Sequence, residues 1–107
     1  CRAGEFDNAV YVAESLIQED PSNAIARVIL GTAYFGLGKT HDAEKQLQEA
    51  LKVNPKLAEA HYNLAQISLS TVPADTNRAR NHYISALELG AKPDTNLNSL
   101  LLEPAGK

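Results

Sequence analysis

Three histidines, His41, His61 and His82, are the residues of this sequence best suited to chemistry. An imidazole can bind a metal ion or act as a general base near neutral pH. None of the three has a carboxylate, a Cys or another His at a recognised ligand spacing, such as His-x3-His or Cys-x2-Cys. We therefore interpret them as surface histidines, and we predict no metal ion and no cofactor.

The acidic residues and the glycines give no stronger indication of catalysis. Phosphate-binding loops and nucleophile elbows have defined glycine spacings, and the sequence contains neither. Gly36 and Gly38 are separated by one residue and predict a turn between two helices. The acidic candidates are interpreted as solvated helix faces: Glu14, Glu19, Glu44 and Glu49. The sequence therefore predicts a protein that is not an enzyme and has no catalytic residues.

An internal repeat organises the chain. A shift of the sequence by 34 residues superposes Gly4 on Gly38, Ala9 on Ala43, Pro21 on Pro55, Leu30 on Leu64, and Gly31 on Ala65. A shift of 36 residues then superposes Ala43 on Ala79, Leu47 on Tyr83, and Ala50 on Ala86. The change of period predicts an insertion of two residues between Ser68 and Ala79.

Each repeat predicts two antiparallel helices. Apolar residues recur every three or four positions, which is the helical period. Small residues allow the helices to approach closely, and large residues fill the adjacent space. The small set is Gly31, Ala43, Ala50, Ala65, Ala79 and Ala86; the large set is Leu30, Tyr34, Leu47, Leu64 and Tyr83. We expect helices over residues 23–37, 40–53, 56–70 and 75–89, preceded by a turn near residues 2–8 and a helix that ends at residues 20–23.

The ends of these helices are predicted from capping residues. Ser22 or Asn23 can cap the helix that follows Pro21, and Thr40 can cap the next one. Gly90 is expected to end the last of the four helices in the left-handed conformation.

Leu30-Gly31-x2-Tyr34, Ala43-x3-Leu47, Ala50 and Pro55, in this order, resemble the tetratricopeptide repeat family. The next copy offers Leu64-Ala65, Ala79-x3-Tyr83 and Ala86, with Ser68 in place of the family's Tyr. Arg27 and His61 stand where the family usually has a large residue. The resemblance implies an all-α fold, an α-α superhelix of antiparallel helix pairs with a C-terminal capping helix.

The same resemblance predicts a single domain over residues 1–107. We expect the second half of a repeat over residues 1–23, a full repeat over 24–57, and a full repeat with the two-residue insertion over 58–93. Residues 94–107 are expected to form a capping helix and a tail. Leu97, Leu100 and Leu101 continue the apolar phase, while the polar residues Asn96, Asn98 and Ser99 are expected to meet water.

The resemblance also implies a non-enzymatic protein–protein interaction module that binds a peptide or a protein segment on its concave face. The corresponding groove positions are Ile25, Val28, Thr32, Phe35, Glu59, Tyr62, Asn63, Gln66 and Leu69. Only Asn63 matches the basic and amide groups with which some family members grip a C-terminal carboxylate. Glu59 favours a neutral or basic ligand, because it would repel an acidic one. The same positions could instead only cover neighbouring repeats.

A second hypothesis concerns the first helix. Its partner helix is absent, so Val10, Ala13 and Ile17 would form an exposed apolar face, which soluble monomers rarely show. The chain would then be the scaffold or oligomerisation end of a longer array, with a possible homodimer through the truncated N-terminal end.

Composition excludes other classes of partner. The net charge of −3 gives no basic footprint for nucleic acid. No apolar run is long enough to span a membrane, and no secretory signal opens the chain. The compartment stays open between cytoplasm and periplasm. The one cysteine, Cys1, excludes an internal disulfide. Cys1 is either a lipid-modified terminus or the first residue of a truncated chain, and we favour the latter.

Overall fold

The structure, a computed structural model, describes residues 2–71 and 73–102. The described chain is helical: α1 (Arg2–Glu19), α2 (Ala24–Gly36), α3 (Thr40–Val53), α4 (Ala58–Ser70), α5 (Thr76–Glu88) and α6 (Thr95–Leu97). The last of these continues as a π-helical turn, Asn98–Leu102. We call α2 with α3 the first helix pair, α4 with α5 the second helix pair, and residues 95–102 the capping segment. The expectations for Cys1 and for the tail after residue 102 lie outside the described residues.

The helices stack in chain order, so α1 packs on α2, α3 on α4, and the capping segment on α5. The result is an elongated body of 49 × 30 × 22 Å. The four helices predicted for the two pairs are confirmed within two residues at each end. The all-α solenoid fold is therefore confirmed.

Close crossing of the helices follows from the small residues that the repeat places there. All six members of the predicted small set are buried. A Cβ at Gly31 would lie 2.8 Å from Leu47 Cγ and 3.1 Å from the Ala43 carbonyl oxygen, closer than atoms pack. Position 31 therefore favours glycine, because α3 lies directly against the backbone of α2.

The core consists of two clusters that meet at α4. The first cluster contains Val28, Ala43, Leu47, Ala50, Ala60, Leu64 and Ile67. The second contains Ala65, Ala79, Tyr83, Leu97 and Leu101. Because α4 contributes to both clusters, it is the central helix of the solenoid. Among the predicted large residues, Tyr34 alone is only half-buried.

The predicted helix ends are mostly confirmed. Asn23 Oδ1 accepts a hydrogen bond of 3.0 Å from Ala26 N, which caps α2. Gly38 and Gly90 both have positive φ, at 82° and 102°, the region that glycine tolerates best. The prediction for Thr40 is wrong: Thr40 is the first helical residue, and Lys39 before it makes no side-chain capping hydrogen bond.

The beginning of the chain differs from the prediction of a turn near residues 2–8. Helix α1 already begins at Arg2, and Gly4 lies inside it without a positive φ. The ring of Phe6 occupies the space above Gly36, where a Cβ would clash. This contact lets α1 run one turn further along α2 than the repeat phase implied.

The expectation of an exposed face at Val10, Ala13 and Ile17 is wrong. Ala13 is fully buried, and Val10 and Ile17 are half-buried. These residues lie on the side of α1 that packs against α2, so the single chain covers them itself. The exposed apolar side chains of α1 are Tyr11 and Val12, at 73% and 53% of their surface.

Candidate peptide-binding cleft

A cleft of about 670 Å³ opens where the beginning of α4 faces the loop between α5 and the capping segment. Its lining residues are Ala58, Glu59, Tyr62, Ala91, Lys92, Pro93, Asp94 and Thr95. Most of these lining side chains are small or apolar, and the charged groups among them are two carboxylates and one ammonium. Such a surface suits an apolar side chain flanked by polar backbone or by a positive charge.

Tyr62 and Asp94 fix the shape of the cleft. Tyr62 donates a hydrogen bond of 2.6 Å to Asp94 Oδ2. The other oxygen, Oδ1, accepts from the backbone N–H groups of Asn96 and Leu97, so Asp94 also caps the capping segment. The hydrogen bond from Tyr62 holds the pKa of Asp94 below its ordinary value, and the same bond raises the pKa of Tyr62. Asp94 therefore stays ionised and ties the loop to α4.

Tyr83 fixes the loop around Asp94 through hydrogen bonds from the core. Its side chain is fully buried, and its hydroxyl accepts a hydrogen bond of 2.9 Å from Asp94 N while it donates to Asn98 Oδ1. The expectation that Asn98 meets water is thus corrected: Asn98 is half-buried, whereas Asn96 and Ser99 are exposed. Leu97 and Leu101 are buried against Tyr83, so the capping segment seals the second helix pair.

Among the predicted groove residues, the structure brings Glu59 and Tyr62 to the cleft. Gln66 lies next to them and donates a hydrogen bond of 3.3 Å to the Tyr62 hydroxyl. Asn63 is nearly buried, and its Nδ2 donates to Thr32 Oγ1 at 2.7 Å. The amide of Asn63 therefore joins α4 to α2 rather than standing free for a ligand backbone.

The apolar groove residues divide in the same way. Val28 is only 3% exposed and belongs to the first core cluster, so the expectation that it receives a ligand side chain is corrected. Phe35 and Leu69 are half-buried and pack against the two clusters. Ile25 is exposed over 58% of its surface, and Ile29 on the same helix over 39%. Ile25 is thus the predicted apolar residue most accessible to a partner.

Sequence reasoning missed the part of the cleft formed by residues 91–95. The available signal was Asp94, which precedes the predicted capping helix and is an N-cap residue type. Its second role could not be read from the sequence, because Tyr62 lies 32 positions earlier. The loop reaches α4 only through the packing of the capping segment.

The interpretation of His61 and His82 as surface histidines is corrected. Both are half-buried, and their Nδ1 atoms lie 3.1 Å apart. Glu44, the carboxylate whose charge acts on His82, is paired with Arg78. Within residues 2–71 and 73–102, no group of three His, Cys, Asp or Glu side chains is placed to hold a metal ion. None of the described helices is long and apolar enough to cross a membrane.

Comparison with known proteins gives several similar chains. A J-domain co-chaperone with tetratricopeptide repeats, DNJ1 of Fusarium oxysporum, is 29% identical over 77 residues, 72% of this chain. This chain spans only 15% of the length of that relative. The solved structure described as "MamA RS-1 ArsTM double mutant" shares 25% identity with a TM-score of 0.69, covering 79% of this chain and 47% of that one.

A second solved structure is the first tetratricopeptide domain of Spaghetti (RPAP3) bound to the HSP90 peptide SRMEEVD. It aligns over 92% of this chain and 79% of its own, with 22% identity and a TM-score of 0.79. The family profile described as "Tetratricopeptide repeat" matches residues 2–67, which is more than half of the chain. Proteins with this repeat are in general non-enzymatic protein–protein interaction modules. On this match, and on the stacked helix pairs that carry the motif, the chain belongs to the tetratricopeptide repeat family.

Proposed function

We propose that this domain binds a short peptide segment of a partner protein across its concave face, with the cleft between α4 and residues 91–95 as the main contact. The observation that supports this proposal most strongly is the cleft itself, which has a volume suited to one or two side chains. Exposed Ile25 and Ile29 on α2 offer further apolar surface for the same segment.

The charges at the cleft favour a neutral or basic segment. Glu59 is exposed, Asp94 is ionised, and Lys92 supplies the one positive charge, so the lining carries a net charge of −1 from two acids and one base. An acidic peptide such as the one bound to the Spaghetti domain would be repelled here. A lysine or arginine of the partner would instead approach Glu59 favourably.

A phage-displayed library of random 16-residue peptides tests this proposal. We expect the selected peptides to carry a net positive or zero charge and to bind less tightly to Glu59→Lys, by about five- to tenfold. The matched control is Glu19→Lys, an exposed glutamate at the end of α1 that does not line the cleft, which should leave the affinity unchanged. Selection of acidic peptides, or equal binding by both variants, would contradict the proposal.

A second candidate function is assembly of two copies through α1. It is favoured by the adjacent exposed side chains Tyr11 and Val12 and replaces the face first expected at Ala13. Light scattering over a tenfold range of concentration should then show a dimer that Val12→Asp converts to a monomer. A monomer at every concentration would exclude assembly through α1 and would leave the concave face as the remaining candidate binding surface.

A further inference from the structure

The first helix pair is connected by a side-chain bridge centred on Arg27. Arg27 on α2 donates from Nη1 to Gln46 Oε1 on α3 at 3.1 Å. It also donates from Nε and Nη2 to the Pro21 carbonyl oxygen, at 3.3 and 3.2 Å. One side chain thus joins α2, α3 and the turn that precedes them. Because a guanidinium stays protonated in proteins, this bridge does not change with pH.

The second helix pair has a bridge at the same positions of the repeat, built from histidines. His61 follows Arg27 by 34 positions, and His82 follows Gln46 by 36, the two periods of the chain. The Nε2 atom of His61 lies 3.1 Å from the Pro55 carbonyl oxygen, and its Nδ1 atom lies 3.1 Å from His82 Nδ1. The same connection of two helices and a turn is therefore made by groups that titrate.

The protons of this bridge are determined by its partners. A carbonyl oxygen only accepts, so Nε2 of His61 carries a proton and donates to Pro55. In neutral His61 the Nδ1 atom is then an acceptor, and Nδ1 of His82 must donate to it. A proton added to His82 leaves this bond intact. If a second proton binds to His61 Nδ1, both Nδ1 atoms carry a hydrogen and both rings carry a positive charge. The two rings then repel each other, and the hydrogen bond between them breaks.

The surroundings of His82 already oppose its protonation. Burial, then the charges of His61 on α4 and Arg78 on its own helix, lower the pKa of His82 from its ordinary 6.5, and Glu44 on α3 raises it by less. The folded chain therefore takes up this proton less readily than the unfolded chain. The resulting contribution to stability is complete above pH 6.5 and decreases as the pH falls below it.

We propose that His61 and His82 form a proton-sensitive bridge, which holds α4 on α5 at neutral pH and opens as the pH falls below about 6.5. The equivalent bridge of the first helix pair, Arg27 with Gln46, stays closed over the same range. Acidification consequently loosens the contact between α4 and α5 and leaves the bridge between α2 and α3 in place.

Long-range 1H–15N NMR of the imidazoles, recorded in EDTA from pH 8 to pH 5, tests the bridge directly. At pH 8 we expect His61 as the Nε2–H tautomer and His82 as the Nδ1–H tautomer, and we expect the pair to titrate in two coupled steps. Exposed His41, which belongs to neither bridge, is the internal control. Two independent, simple titration curves for His61 and His82 would overturn the proposal.

A transplant of the first bridge into the second helix pair tests the effect on stability. The double variant His61→Arg with His82→Gln restores a bridge that does not titrate. Between pH 7.5 and pH 5 the thermal midpoint of the native chain should fall by roughly 4 °C more than that of this variant. His82→Gln alone, which keeps a donor for His61, should also reduce the shift and serves if the double variant does not fold. Equal shifts in all three proteins would contradict the proposal.

Discussion

The two helix pairs share one repeat register but are held together by different kinds of contact. In the first pair, Gly31 brings α2 and α3 into direct contact and Leu47 fills the crossing with an apolar side chain. In the second pair, Ala65 and Tyr83 occupy the corresponding positions, and the Tyr83 hydroxyl continues into hydrogen bonds with the capping segment. Each pair has one side-chain bridge, but the second pair adds hydrogen bonds from Tyr62 and Tyr83 to the capping segment and the loop before it.

This difference explains where the functional features lie. A polar contact can both position a loop and respond to its surroundings, whereas an apolar crossing only packs. The cleft depends on the hydrogen bond from Tyr62 to Asp94, and the titratable bridge joins His61 to His82. Both features belong to the second pair, although the repeat pattern treats the two pairs as equivalent.

Truncation at the crossing of the first pair should have the largest effect. Leu47 is fully buried in the first core cluster, so Leu47→Ala should lower the free energy of unfolding by about 3 kcal/mol. Denaturation in guanidinium chloride measures this change. The control is Leu89→Ala, at a site 38% exposed, where a loss below about 1 kcal/mol is expected. A similar loss in both variants would mean that the crossing at Leu47 is not a critical contact.

Removal of the Tyr83 hydroxyl should have an intermediate effect that is local to the second pair. Tyr83→Phe removes the hydroxyl that accepts from the Asp94 N–H and donates to Asn98 Oδ1, which should lower the free energy of unfolding by about 2 kcal/mol. Hydrogen exchange should accelerate in residues 91–102 and stay unchanged in α2 and α3. Tyr11→Phe, at a site exposed over 73% of its surface, is the matched control and should change neither quantity. Uniform acceleration along the chain would refute a local role.

Addition of a methyl group should distinguish Gly31 from Gly4, two helical glycines without a positive φ. At Gly31 the new Cβ would meet Leu47, so Gly31→Ala should destabilise the chain by about 1 kcal/mol in spite of the better helix propensity of alanine. At Gly4 no atom lies within 4 Å of the new Cβ, so Gly4→Ala should stabilise the chain by up to about 0.5 kcal/mol. Thermal unfolding of both variants measures the signs. The same sign at both sites would contradict the close crossing.

The fold could be predicted from the sequence because its determinants are local and repeated. The spacing of small and large residues at Gly31, Ala43 and Leu47 recurs in the second pair, and it alone indicates which faces of the helices meet. The capping residue Asn23 and the left-handed Gly90 act within one turn of the chain. Such short-range signals are readable without coordinates.

The site could be predicted only in part, because its contacts join residues distant in sequence. The resemblance to the family names Glu59 and Tyr62, which line the cleft, but gives no account of Asp94, which reaches Tyr62 through the packing of the capping segment. The resemblance to the family also predicts Val28 in the groove. In the structure Val28 packs with Ala60 and Leu64 of α4 in the first core cluster, whereas Ile25 stays exposed, and this packing between helices is not visible in the sequence.

The histidine bridge could have been predicted from the sequence by comparing equivalent positions of the two repeats. His61 and His82 occupy the repeat positions of Arg27 and Gln46, so any contact within one pair predicts a contact within the other. A search for metal-ligand spacing along the sequence could not find it, since 21 residues separate the two histidines. In a repeat protein, comparison between copies is the more informative test.

Mapping of a selected peptide onto the domain by 1H–15N NMR tests the central claim, that the second helix pair carries the binding site, most directly. The account predicts the largest chemical-shift changes at Glu59, Tyr62 and residues 91–95, with smaller changes at Ile25. Changes confined to α1 around Tyr11 and Val12, with the cleft unaffected, would contradict it.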